Sequence, residues 1–198
     1  MRIAQTSGVV PVHTAPDRQY EAFPNIEARN GLQERIEVPL MLWALAVPRG
    51  GRVLEVGCGR GIALPVFAER LAPDALVGVD LDPALVDCAR RRVSALGVGA
   101  TIVEGDVRAL PFESDSFDLV VDFGTCYHVS GGDDGARAAL REIGRVLRRD
   151  GLFVHETPVA QHLAHPIRSF CRTLPWGDAP WFGRNRSAVL WSARRKRS

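Results

Sequence analysis

The stretch "VLEVGCGRG", Val53 to Gly61, ends an apolar run in an acid and then places glycine at every second position. Three bare residues in a row of alternating sites leave room for something to lie against the backbone. A strand that runs into a glycine-rich turn and then a helix is a ligand site, because the helix N-terminus offers free N–H groups and absent side chains allow approach. The spacing narrows the ligand. Dinucleotide binding asks for G-x-G-x-x-G, which here needs glycine at position 62, and that residue is Ile62. The pattern present is acid-x-G-x-G-x-G: Glu55, Gly57, Gly59, Gly61.

Outward from this turn the chain keeps a rhythm. Short apolar runs at 52–56, 75–80, 100–104, 117–123 and 151–156 alternate with helical patterns. Continuous Val/Leu/Ile runs fit strands buried on both faces, and their alternation with helices predicts an α/β fold. The expected architecture is a doubly wound Rossmann-like sheet, mostly parallel, with an antiparallel C-terminal strand. The helix after the second run is well marked: Asp82 caps it, Pro83 suits its first turn and Gly97 ends it. A later helix is expected at about 134–149 and an N-terminal one over 31–47, with Pro39 as a kink or break. Residues 1–30 read as an irregular arm. The tail reads as a helix broken at Pro166, then "PWFGRN" paired with a strand at 187–193 as a short hairpin. The whole is expected to be one domain: arm 1–47, core 48–156, C-terminal helix and hairpin 157–198.

Four segments in order carry a family resemblance: "VLEVGCGRG", "VGVDLDPALVDCARRR", "IVEGDVRALPFESDSFDLVVDFGTCYHV" and "ALREIGRVLRRDGLFVHET". Together, over about residues 50–156, they resemble the class I S-adenosylmethionine (SAM)-dependent methyltransferases. The likeness is to the small-molecule branch that includes the ubiquinone/menaquinone methyltransferase-like proteins. The resemblance implies SAM as cofactor, S-adenosylhomocysteine as product, and a small-molecule acceptor.

Residue by residue, chemistry and resemblance agree. Asp80 ends the second strand, where a carboxylate can accept both ribose hydroxyls. By resemblance Leu81 packs on the adenine face, Asp106 accepts from the adenine amino group, and the Val107 N–H meets a ring nitrogen. Glu55 stands where the family's acid helps hold the methionine amino group. Cys58 lies among the glycines and joins this set, and Asp122 and Phe123 would face the methionine moiety. Methyl transfer from a sulfonium is an in-line displacement with a good neutral leaving group, so alignment in a dry pocket is the main requirement. A base matters only where the acceptor must lose a proton. His128 in "CYHV" is the candidate base, with Tyr127 as its weaker neighbour; the alternative for His128 is a loop residue that packs or caps.

The acceptor is less legible. Neither "NPPY" nor "DPPY" follows the fourth strand, which reads "DFGT" at 122–125; in the family those tetrapeptides mark amino groups of bases and protein glutamines. Aromatic residues of the arm (Tyr20, Phe23, Trp43) suit an apolar acceptor, or they simply pack the arm on the sheet. "LPWGDAPWF" could line the pocket or make a dimer contact, so a homodimer is compatible with the sequence.

Composition sets the outer bounds. The chain has 198 residues and a formal net charge of +2. Charge alone therefore does not argue for nucleic acid, although "RRR" at 90–92, "RR" at 148–149 and the basic end keep an RNA methyltransferase as one alternative. A non-catalytic methyltransferase-like partner protein is another. Cys58, Cys88, Cys126 and Cys171 form no C-x-x-C pair, and no metal site is expected. His155, His162 and His165 read as structural. No signal peptide or span-length apolar run is evident, and a cytoplasmic setting is expected. If Asp80 holds the ribose, Asp80→Ala weakens S-adenosylhomocysteine binding by a few kcal/mol in a calorimetric titration. Unchanged affinity would remove that assignment.

Overall fold

The structure is a computed structural model that describes residues 25–158, 182–184 and 189–196. Five strands run parallel in the order β3-β2-β1-β4-β5. They are β1 (Arg52–Val56), β2 (Ala75–Asp80), β3 (Ala100–Glu104), β4 (Phe117–Asp122) and β5 (Leu147–Pro158). Beyond β5 the backbone of β7 (Val189–Arg195) pairs antiparallel with it, and β6 (Phe182–Arg184) pairs antiparallel with β7. The order reverses between β1 and β4, so a crevice opens at their carboxyl ends, where open α/β sheets bind ligands.

Helices cover both faces. One face carries α2 (Val38–Ala44), α3 (Leu64–Leu71) and α4 (Pro83–Ala95), whose Val38, Met41, Phe67 and Ala89 are fully buried with Val53 and Val121 of the sheet. The other carries α5 (Gly132–Val146), whose Ala139, Leu140, Ile143 and Val146 close over Leu54, Val56, Val120 and Phe153. The apolar stripe of α5 repeats at helical spacing and fixes this docking. The ends of α4 follow local chemistry. The Asp82 side chain accepts from the Ala84 N–H at 2.8 Å. Gly97 stands at φ +64°, with the Val98 N–H returning to the Val93 carbonyl.

Three boundaries differ from the sequence reading. A helix α1 (Ile26–Leu32) begins within the stretch expected to be irregular, because Asn25 caps it by accepting from Ala28 N–H at 2.8 Å. Pro39 neither breaks nor sharply ends the helix. A π turn at Gln33–Glu37 precedes it, with the Val38 N–H donating to Gln33 five residues back. The wider turn accommodates the ring in the first turn of α2. At the other end α5 stops at Val146 instead of 149. Arg148 and Arg149 already belong to β5, and pairing with β4 shifts register between Phe117 and Leu119. Asp150 at φ +60° and Gly151 form the irregularity there, a turn signal inside a strand. The helix expected around Pro166, with His162, His165 and Cys171, lies outside the described residues, as do Tyr20 and Phe23.

Close packing across the first turn explains one glycine in the sheet. A Cβ on Gly78 of β2 would lie 2.9 Å from Cys58 Sγ and 3.2 Å from Leu64 Cδ1. Gly78→Ala is therefore expected to cost about 1–3 kcal/mol in chemical denaturation, and less in a Cys58→Ala background. Equal costs in both backgrounds would show that the thiol is not the obstacle.

Candidate active site

The β1 turn is built from backbone that side chains resist. Gly57, Gly59 and Gly61 take φ of +64°, +53° and +72°. Their surroundings differ. A Cβ on Gly57 would fall 1.8 Å from Thr125 Oγ1, and one on Gly61 would press on Ala89 of α4 at 3.2 Å. Of the three, Gly59 alone has nothing within 4 Å of such a Cβ among the described residues. The bare backbone thus serves packing at two of the three glycines and leaves free room only at Gly59.

Asp80 holds this turn in shape. Its Oδ2 accepts from the Gly59 N–H at 2.7 Å, and its Oδ1 accepts from the Asp82 N–H at 3.0 Å. A carboxylate has about four acceptor positions, so half of its capacity remains for hydroxyl donors. Leu81 beside it is 61 % exposed, an apolar surface at the strand end. Cys58, expected in the cofactor-binding set, brings its backbone and not its thiol to the turn. The thiol is buried against Gly78, and burial together with the Glu55 charge pushes its pKa far above the ordinary thiol range. Only its backbone borders the turn, donating to Val79 O at 2.9 Å.

Glu55 is 3 % exposed, and its Oε2 has no hydrogen-bond partner among the described residues. Burial, first, and the charge of Asp80 raise its carboxyl well above the usual range; Arg29 of α1 opposes this, and Asp122 adds to it. A buried carboxylate oxygen without a donor calls for a cation. The N-terminal helices bring Arg29 near it. They are held down by Val38, Met41 and Leu42, and by Glu34, which pairs with Arg92 of α4 at 2.5 Å.

The adenine-side turn follows β3. Asp106 accepts from the Arg108 backbone N–H at 2.8 Å, and from its guanidinium Nε at 2.9 Å and Nη2 at 2.5 Å. Those bonds hold the Asp106 carboxyl below the usual range. Arg108 also donates to Ser130 Oγ at 2.9 Å, tying this turn to the loop after β4. Val107 is buried against the α5 face. The turn is fixed from below by Arg145 of α5, which donates to the Phe112 and Leu110 carbonyls at 2.7 and 2.9 Å.

At the end of β4, Asp122 is fully buried. Its oxygens accept from the Thr125 N–H at 2.5 Å and the Cys126 N–H at 3.3 Å, and meet His155 Nδ1 at 2.9 Å. Its carboxylate is thus aimed at the following 3-10 turn (Thr125–Tyr127). Phe123 stacks on Phe67 of α3, ring centroids 6.2 Å apart. His128 follows the turn with its ring exposed and its N–H donating to Thr125 O at 2.9 Å. The structure thus gathers Glu55, the glycine turn, Asp80, Leu81, Asp106 and the His128 turn along the carboxyl ends of adjacent strands. Sequence reasoning missed Arg108, Thr125 and the Asp122–His155 pair. Only Arg108 had a local signal, an arginine two residues after an acid.

The residues present fit a cationic amino acid joined to a nucleoside. The orphan oxygen of Glu55 suits an ammonium, the open face at Gly59 admits a chain, and Asp80 retains acceptor capacity for hydroxyls. Among the described residues no cluster suits a metal ion, and no helix is long and apolar enough to cross a membrane.

The family described as "Methyltransferase domain" matches residues 53–151. A fatty-acid O-methyltransferase of Mycolicibacterium smegmatis is 35% identical over 112 residues, which is 57% of this chain and 39% of that protein. A phosphatidylethanolamine N-methyltransferase of Cereibacter sphaeroides is 34% identical over 118 residues, 59% of this chain and 53% of that protein. The matched stretches thus span about half or less of those relatives. A crystal structure from Pyrococcus horikoshii OT3 superposes with a TM-score of 0.71 at 17% identity, covering 92% of this chain and all of that one.

Glu55 gives the site a pH signature. Its raised carboxyl means that the folded chain prefers it neutral, so its contribution to stability is full below the ordinary glutamate range and is lost as pH rises toward the folded value. Glu55→Gln removes that cost. The ligand-free variant is expected to melt above the wild type at pH 8, by about 2–4 °C per kcal/mol recovered, and level with it at pH 4. Differential scanning fluorimetry at the two pH values decides it; a lower melting point at pH 8 would mean that Glu55 is bound as a stabilising anion.

Proposed function

Because this chain belongs to the class I SAM-dependent methyltransferases, we propose that it methylates a small lipophilic acceptor. The observation that carries the cofactor assignment is the buried Glu55 oxygen, without a hydrogen-bond partner among the described residues, beside the Gly59 backbone at the sheet's switch point. When bound, SAM supplies an electrophilic methyl group on a sulfonium. Glu55 holds the amino group, through water or directly. Asp80 takes the ribose hydroxyls with the acceptor positions that the glycine turn leaves free, and Leu81 covers the adenine. Asp106 receives the adenine amino group, sharing its oxygens with Arg108. The acids around the turn favour a cationic ligand over its neutral product, which helps release after transfer.

The chain's own chemistry toward the acceptor lies at the 3-10 turn. The exposed His128 ring accepts a proton from a hydroxyl acceptor as the new bond forms, with Tyr127 beside it in the same turn. A lipophilic acceptor is supported by the relatives: one is a fatty-acid O-methyltransferase, another acts on a phospholipid amine. An RNA substrate finds less support, because Arg92 and Arg148 of the basic runs pair with Glu34 and Asp118.

Titration with S-adenosylhomocysteine is expected to show one saturable site in the micromolar range. His128→Ala should keep that affinity while slowing transfer to hydroxyl-bearing lipids by about 10²-fold or more. Turnover equal to the wild type would reduce His128 to pocket lining, and absence of binding in folded protein would remove the cofactor reading.

A further inference from the structure

Gly57 lacks a side chain for a reason that lies within the protein. The space above it is filled by Thr125, whose Oγ1, Cβ and Cγ2 would stand 1.8, 2.7 and 2.7 Å from any Cβ there. The Thr125 hydroxyl donates to the Val56 carbonyl, the last of β1, at 3.2 Å. Its N–H is taken by the buried Asp122, which is itself held by the His155 ring. Its carbonyl receives the His128 N–H. One residue therefore touches the end of β1, the end of β4 and, through Asp122, His155 of β5, while carrying the turn that ends at His128.

We propose that Thr125 is a positioning residue that sets the His128 turn in register with the glycine turn, Gly57 being the socket in which it sits. The role rests on the cofactor reading above and adds to it: a ligand bound along Gly57–Gly61 is felt at His128 through Thr125. The seat has two parts, a shape that Gly57 leaves bare and a hydroxyl that clasps Val56. Thr125→Ser keeps the hydroxyl, Thr125→Val keeps the shape, and Thr125→Gly removes both.

The test needs no acceptor. The full chain, with its histidine rings labelled with nitrogen-15, is titrated with S-adenosylhomocysteine, and the His128 ring is assigned by its loss in His128→Gln. In the wild type, saturation is expected to shift the His128 ring signals. Thr125→Val should bind S-adenosylhomocysteine within about threefold of the wild type yet show less than half of that shift, and Thr125→Ser should restore it. A response in Thr125→Val and Thr125→Gly equal to the wild type overturns the proposal, as does binding with no response at His128 in the wild type. Failure of the wild type to bind removes the cofactor reading and this role with it, a result distinct from binding without coupling. Melting curves check the socket separately. Gly57→Ala should lower the melting point much less in a Thr125→Gly background than in the wild type, because only the strain of φ +64° then remains. Equal losses in both backgrounds would show that Thr125 does not occupy the socket.

Discussion

The chain reverses its course across the sheet between β1 and β4, and that reversal governs the molecule. The helix after β1 must leave toward one face and the connection after β4 toward the other, so a crevice opens between them. Every group assigned to the reaction borders that gap or the neighbouring strand ends. The same reversal explains the chemistry of the turns. Backbone that must bend sharply beside an open crevice needs glycines on the β1 side and a buried anchor for N–H groups on the β4 side, which Asp122 provides.

Charge follows from the same geometry. Glu55, Asp80 and Asp122 converge because they stand at or one residue before the ends of three adjacent strands, and none of them is relieved in the same way. Asp80 is met by backbone N–H groups, Asp122 by backbone and an imidazole, and the Glu55 Oε2 by no donor among the described residues. The site is stable as a framework in two of its acids and incomplete in the third. A fold that leaves one buried carboxyl wanting a cation gives up some stability in the ligand-free state, and recovers it on binding.

Much of this was legible beforehand because it is local. Buried apolar runs mark strands, Asp82 and Gly97 mark the ends of α4, and acid-x-G-x-G-x-G marks the turn. What escaped was whatever depends on distant chain segments. Thr125 and Gly57 lie far apart in sequence, and nothing near either residue announces that one fills the other's space. Asp122 reads as a ligand-facing acid, and its pairing with His155 of the neighbouring strand cannot be read from the sequence around it. Cys58 sits among ligand-binding glycines, yet its thiol points to Gly78. Helix ends were misread where charge was taken for helix, at Arg148 and Arg149, and where a cap preceded the apolar pattern, at Asn25.

The π turn at Gln33–Glu37 has a consequence for how the N-terminal segment can change. An α-helix advances about 100° per residue, so one residue removed from that turn would swing α1 by roughly a quarter turn or more against α2. Arg29 would leave the neighbourhood of Glu55 while Val38, Met41 and Leu42 stayed seated in the core. The turn thus separates two tasks along one helical segment: the part from Val38 onward is committed to packing, and α1 before the turn can be re-aimed by a single insertion or deletion. Divergence among such chains can retune the mouth of the crevice by changes of length here, with the sheet beneath left as it is.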